Sequence, residues 1–191
     1  MRAGRRQPGE RLARQVMHGA ARRGEWRLAV ECACLLGASL RRSGRCTAAF
    51  QVVEPARTWA EACEDLTIAQ QLGLLWAELL IDQARLDDAH TCLERLRVVA
   101  DSTGSEWHLP IALPLARCLT WQGRVLDARH QMGVIEARLA GKHEGGSRIA
   151  VARAMVAIGR GRAADAIGHA ALARERAMAA PDPEDRAEAL E

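Results

Sequence analysis

The stretch LARCLTWQGRVLDA, residues 115–128, predicts two helices joined by a tight turn. Apolar residues recur at helical spacing as far as Trp121, and Gly123 follows where a helix commonly ends in a left-handed residue. Ala116 stands seven residues before this glycine, and Ala128 stands five residues after it. Small side chains at both points let the two helices approach each other closely.

The same arrangement recurs around Gly44, Ala84 and Gly161, so that the four turns lie 40, 39 and 38 residues apart. Small residues precede each turn (Gly37, Ala77, Ala116, Ala154) and follow it (Ala49, Ala89, Ala128, Ala166). A period in this range is typical of helical repeats, in which stacked units complete a core that no unit can form alone. An irregular helical bundle is the alternative, because any alanine-rich bundle has some small residues near its turns.

At these positions the chain resembles the tetratricopeptide repeat. The matching residues, unit by unit, are Leu36, Gly37, Leu40, Gly44, Ala49 and Ala56; Ala77, Leu80, Ala84 and Ala89; Leu115, Ala116, Leu119, Gly123 and Ala128; and Ala154, Gly161 and Ala166. The units exceed the family's usual length of about 34 residues, and the first three lack its closing proline. The resemblance implies an all-α, right-handed solenoid of antiparallel helix pairs with about four repeats. Long-period arrays of this kind are similar to those of large bacterial transcription and signalling regulators.

Helical periodicity predicts nine helices and the start of a tenth at 181–191. The nine cover residues 9–22, 25–42, 46–60, 64–83, 86–101, 106–121, 125–140, 146–159 and 162–179. Residues 1–24 are expected to form a basic segment with a capping helix, and residues 25–180 the repeat domain. Residues 181–191 are either the start of a further repeat, as in a piece of a longer array, or a frayed tail.

The composition favours a helical core and a soluble protein. Apolar residues form 49 % of the 191 residues, but aromatic residues form only 3 %. This composition disfavours β-sandwiches and barrels, which use aromatic and β-branched residues. The longest apolar stretch, residues 72–81, is about half a membrane span, and the N-terminus lacks the apolar segment of a secretory signal. Six scattered cysteines without a CxxC motif fit a reduced compartment, so we expect a cytoplasmic location and no membrane partner.

Basic charge is concentrated at the N-terminus, where residues 1–27 hold eight arginines against Glu10 and Glu25. This segment is either an arginine-rich helix in solvent or a nucleic-acid surface. The surface would consist of Arg2, Arg5, Arg6, Arg11, Arg14, Arg22 and Arg23. Among 27 basic residues only Lys142 is a lysine, which indicates genome composition more than a nucleic-acid surface. Nucleic acid is therefore the less favoured partner.

No residue pattern in the sequence indicates catalysis, and we expect no catalytic residue, metal or cofactor. Cys32 and Cys34 would point about 200° apart on one helix and cannot hold one ion together. The glycine-rich segments 141–146 and 159–161 lack the Lys-Ser/Thr pair of a phosphate loop. Three histidines, His90, His130 and His169, follow the later turns and are expected on solvated or interface faces.

The resemblance implies that the first helix of each pair lines a groove. Projected onto this chain, the groove residues are Glu31, Arg41, Arg42, Gln71, Glu78, Asp82, Leu113, Arg117, Trp121, Arg148 and Met155, with Cys34 and Leu74 in the same rows. Arginine, glutamate and tryptophan suit a segment of mixed charge with an apolar anchor. An ordinary wetted surface is the alternative.

The predicted function is therefore a non-enzymatic interaction or scaffold module, the sensing or regulatory part of a larger bacterial transcription or signalling regulator. Its partner would be a protein or peptide segment, or another domain of the same polypeptide. Incomplete units at the ends also favour self-association, because repeat arrays need polar caps. Nucleic-acid binding through the arginine-rich N-terminus is the alternative function.

Overall fold

The computed structural model describes residues 6–103, 107–138 and 146–179, and these ranges contain nine α-helices and no strand. The helices are α1 (Arg6–Arg22), α2 (Trp26–Arg42), α3 (Cys46–Cys63), α4 (Leu66–Asp82), α5 (Leu86–Thr103), α6 (His108–Trp121), α7 (Val125–Arg138), α8 (Gly146–Gly159) and α9 (Ala163–Ala179). The all-α class is confirmed, and the nine predicted helices are found with ends shifted by a few residues. The predicted start of a further helix at 181–191 lies outside the described residues.

The chain divides into two compact units, residues 1–92 and 93–191, and the division falls within the residue range of α5. In the N-terminal unit, α2 packs against α1, α3 and α4, and α3 packs against α4. In the C-terminal unit, α6 packs against α7 and α8, and α8 also packs against α7 and α9. Each unit therefore contains three consecutive helices in mutual contact, α2 to α4 in the first and α6 to α8 in the second.

Five of the connections between consecutive helices have the same turn geometry. After α6, the Gly123 N–H donates to the Thr120 carbonyl at 3.0 Å and the Arg124 N–H donates to the Leu119 carbonyl at 2.8 Å. These bonds satisfy carbonyls that the helix end leaves unpaired. The same pair of bonds and a left-handed φ of 58° to 77° occur at all five turns, centred on Gly24, Gly44, Ala84, Gly123 and Gly161.

The turn at Gly24 does not belong to the predicted spacing, since it lies 20 residues before Gly44. The connection between α1 and α2 thus has the turn geometry that was predicted only between the two helices of each repeat. Ala84 adopts the left-handed conformation with a side chain, which costs about 1 kcal/mol relative to glycine. The turn is therefore a property of the local sequence and does not by itself mark a repeat.

The small residues predicted around the four turns are all buried, as expected for points of close helix approach. Gly37 on α2 is the tightest of them. A Cβ atom there would lie 2.5 Å from Cγ2 of Val53 on α3 and 3.1 Å from Cδ2 of Leu75 on α4. In the C-terminal unit, a Cβ atom on Gly159 of α8 would lie 2.7 Å from Cγ2 of Thr120 on α6.

Aliphatic residues and alanine fill both cores, as the composition predicts. Fully buried side chains include Leu40, Leu79, Ile81, Leu93, Leu115 and Val53. Trp76 is 8 % exposed, and its ring lies 4.3 Å from that of Phe50 and 4.5 Å from the Arg57 guanidinium. This cluster places Trp76 in the core of the N-terminal unit, with the half-buried Phe50 beside it.

Gly37→Ala is expected to lower the free energy of unfolding by about 1–2 kcal/mol. Overpacking against the stiff side chain of Val53 outweighs the higher helix propensity of alanine. Gly133→Ala on α7 is the matched control, because no atom lies within 4 Å of the added methyl group. It is expected to raise the free energy of unfolding by about 0.5–1 kcal/mol. Urea denaturation measures both, and equal stability changes would contradict the close approach at Gly37.

Candidate protein-binding surfaces

Arg41 joins two of the predicted groove helices in the N-terminal unit. Its Nε donates to Asp82 Oδ2 at 2.6 Å, and its Nη1 donates to Glu78 Oε2 at 2.8 Å. The three side chains are only 20–26 % exposed. Burial disfavours the charged guanidinium, but the carboxylates of Glu78 and Asp82 outweigh it and raise the pKa of Arg41. Three predicted groove residues thus form an ion-pair cluster between α2 and α4.

The predicted groove residue Glu31 is linked to Asp65, the N-cap residue of α4, through the side chain of Arg27. This side chain bonds Glu31 at 3.1 Å and lies 3.0 Å from Asp65. Asp65 in turn caps α4 by accepting the Ile68 N–H at 3.2 Å. The remaining residues predicted on this surface of the N-terminal unit, Arg42 and Gln71, are exposed.

Cys34 was predicted to lie in the row of groove residues on α2, but its side chain is buried in the core. Cys34 is 4 % exposed, and burial, together with the nearby charge of Glu31, raises the pKa of its thiol to about 12. Cys34 therefore packs as a small apolar residue, whereas Leu35 beside it is 71 % exposed. Leu35 was not among the predicted surface residues, because the apolar stretch around it contains no signal that separates buried from exposed leucines.

Arg117 and Trp121 form the most distinctive pair in the C-terminal unit. They are one turn apart on α6, and the Arg117 guanidinium lies 5.7 Å from the centre of the indole ring. At this distance the cation and the ring attract each other. Trp121 is nevertheless 52 % exposed, while Arg117 and Leu113 on the same helix are half-buried. An indole fixed on one side and open on the other can pack against a partner.

The other predicted groove residues of this unit, Arg148 and Met155, lie on α8 and are half-buried. Since α8 packs against α6, all five predicted residues of the C-terminal unit lie on two neighbouring helices. The C-terminal ends of α6 and α8 approach closely at Gly159, which lies against Thr120, the residue before Trp121.

The arginines predicted as a nucleic-acid surface are only partly described. Arg2 and Arg5 lie outside the described residues, and Arg6 is the first residue of α1. Arg11 and Arg22 are exposed, Arg14 is half-buried, and Arg23 forms a 2.7 Å ion pair with Glu25. The helix also has a structural role, because it buries Met17 and Ala20 and packs against α2.

The described ranges contain no group of three histidine, cysteine, aspartate or glutamate residues placed to hold a metal ion. None of the helices described there is long and apolar enough to span a membrane. None of the six cysteines forms a disulfide, and Cys32, Cys46, Cys63 and Cys92 are half-buried.

Arg41→Met is expected to lower the free energy of unfolding by about 2 kcal/mol, because it leaves two carboxylates close together without their counter-ion. Adding Glu78→Gln and Asp82→Asn to this variant should recover most of the loss. Arg95→Met, at an exposed position on α5, is the control and should change stability by less than about 0.5 kcal/mol. Thermal and urea unfolding measure all three, and a triple variant less stable than Arg41→Met would refute the like-charge explanation.

No protein-family model, curated protein or solved structure matches the chain. The helix assignments and the surfaces described above therefore rest on this sequence and this structure alone. The likeness to tetratricopeptide repeats remains a prediction.

Proposed function

We propose that the chain is a tetratricopeptide-like helical-repeat module that binds a protein segment and catalyses no reaction. The observation that carries the proposal is Trp121, an indole held by Arg117 and half open to solvent on α6. Tryptophan and arginine are the side chains that most often dominate the energy of protein interfaces.

The packing within each unit supports the repeat. In a stack of helix pairs, the first helix of one pair contacts its own second helix and the first helix of the next pair. The contacts of α2 with α3 and α4, and of α6 with α7 and α8, have this pattern. The buried small residues on both sides of each turn supply the close approach that such stacking requires.

Charge and exposure indicate what the surface on α6 and α8 would bind. On α6, the Arg117 guanidinium lies 5.7 Å from the Trp121 ring, and the predicted residues Arg148 and Met155 are half-buried on the neighbouring helix α8. We propose a partner segment with an apolar side chain against the indole and an acidic residue beside it. In the N-terminal unit, the guanidinium of Arg41 is engaged by Glu78 and Asp82, so we propose that it ties helices together and does not contact the partner.

The wider setting is part of the same proposal and rests on the resemblance. The module would belong to a larger bacterial transcription or signalling regulator and would act in the cytoplasm. Its partner segment would come from another protein or from another domain of the same polypeptide. Self-association through the ends of the array is the remaining mode of assembly.

The double variant Trp121→Ala with Arg117→Ala is expected to lose its protein partner and keep its helicity. Loss of a tryptophan anchor typically weakens binding by about 30-fold or more. The measurement is affinity capture from native lysate with nuclease, read by mass spectrometry, together with circular dichroism.

The matched control is Arg95→Ala with Val98→Ala, which removes an exposed arginine and an exposed apolar side chain from α5. The control should retain every partner of the unmodified chain. Equal capture by both double variants would reject Trp121 and Arg117 as the anchor, and a loss of helicity in the first would show that they belong to the core.

Nucleic-acid binding is the second candidate, and the exposure of Arg11 and Arg22 favours it. Deleting α1 would expose the face of α2 that it covers, so substitution is the cleaner test. Changing Arg2, Arg5, Arg11 and Arg22 to Gln should abolish binding to single- and double-stranded oligonucleotides and flatten its steep salt dependence. Unchanged binding by this variant, or no binding by the unmodified chain at low salt, would reject this function.

A further inference from the structure

A cleft of about 440 Å³ opens between α7, α8 and α9 in the C-terminal unit. Six of its lining residues can carry charge: Arg129, Arg153, Arg160, Arg162, Asp165 and His169. Four arginines and one aspartate thus line a space of the size that small ligands occupy. None of these residues belongs to the surface that the proposed function uses.

One wall of the cleft comes from the C-terminal part of α8 and the turn that follows it. Arg153, Val156 and Ala157 lie on α8, and Arg160 directly follows the last residue of this helix. Two helices that pack against α8 complete the walls, α7 on one side and α9 on the other. The result is an apolar floor bordered by guanidinium groups.

Room in the cleft depends on α7, which contributes Arg129, Met132 and Gly133. Gly133 has no side chain, and no atom lies within 4 Å of the position where its Cβ atom would be. Met132 is buried and extends the apolar floor. A ligand can therefore approach the backbone of α7 beside the Arg129 guanidinium.

The charges of the cleft are not balanced. Asp165 is engaged by Arg162, whose guanidinium lies 2.6 Å from its carboxylate. Within the described parts of the chain, the side chains of Arg129 and Arg160 form no ion pair or hydrogen bond, and both residues are exposed. Two guanidinium groups are thus available to an anion at the rim of a cleft with an apolar floor.

We propose that this cleft binds a small organic anion that carries a phosphate group or clustered carboxylates. Arg129 and Arg160 would bind the anionic group, since planar guanidinium groups match the oxygen pairs of phosphate and carboxylate. Met132, Val156 and Ala157 would contact the non-polar part of the ligand. The site goes beyond the proposed partner surface on α6 and α8, and either can fail without the other.

The test is isothermal titration calorimetry of the full chain at low salt with two probes, inorganic pyrophosphate and citrate. Tighter binding of pyrophosphate assigns the site to phosphates, and tighter binding of citrate assigns it to polycarboxylates. Arg129→Gln with Arg160→Gln should weaken the preferred probe by about tenfold or more, because two charge-assisted contacts are lost. Gly133→Leu should also weaken it, by filling the cleft without changing the charge.

The matched control is Arg95→Gln with Arg174→Gln, which changes the net charge equally at two exposed positions of the same unit outside the cleft. Affinity within about twofold of the unmodified chain is expected for this control. Failure of the unmodified chain to bind either probe would overturn the proposal. An equal loss in both double variants, or full binding by Gly133→Leu, would also overturn it, because only general charge attraction would then remain.

Discussion

The structure depends on how closely its helices approach, and this distance is set by residues with little or no side chain. At Gly37, α2 contacts α3 and α4 at one point, and even a methyl group would meet Val53. A core with few aromatic rings fills space by bringing backbones together, so alanine and glycine carry information that bulky residues carry in other folds. The positions of these small residues select which helices can pack.

Arginine has two distinct roles on this framework. Where carboxylates are within reach, as for Arg41 with Glu78 and Asp82, the guanidinium fixes one helix to another and its charge is balanced. Where no carboxylate among the described residues pairs with the guanidinium, as for Arg129 and Arg160, the charged side chain is exposed at a cleft. Arg117 is intermediate, since its cation holds an indole that remains half exposed. Sequence alone does not separate these roles, because each depends on what the neighbouring helix presents.

Much of the fold could be predicted from local signals. Helix ends follow from glycine and polar residues, and the buried positions around each turn follow from the spacing of small residues. The turn at Gly24 carries the same signals, but its 20-residue distance from Gly44 removed it from the expected period.

The surfaces were harder to predict, because they depend on helix rotation. Cys34 and Leu35 are adjacent, and a rotation of about 100° decides which of them is buried. The spacing of Arg153 and Arg160 could have indicated a basic surface at the end of α8 and the turn after it. It could not have shown that α7 contributes a glycine and α9 a histidine to the same cleft.

The near absence of lysine has a practical consequence for chemical mapping of these surfaces. Of the 27 basic side chains, only Lys142 is a primary amine. Amine-directed cross-linkers and acylating reagents will therefore pass over the guanidinium groups of Arg117, Arg129 and Arg160. Dicarbonyl reagents that modify guanidinium groups are the suitable footprinting chemistry, and partner-dependent protection would be read at arginine.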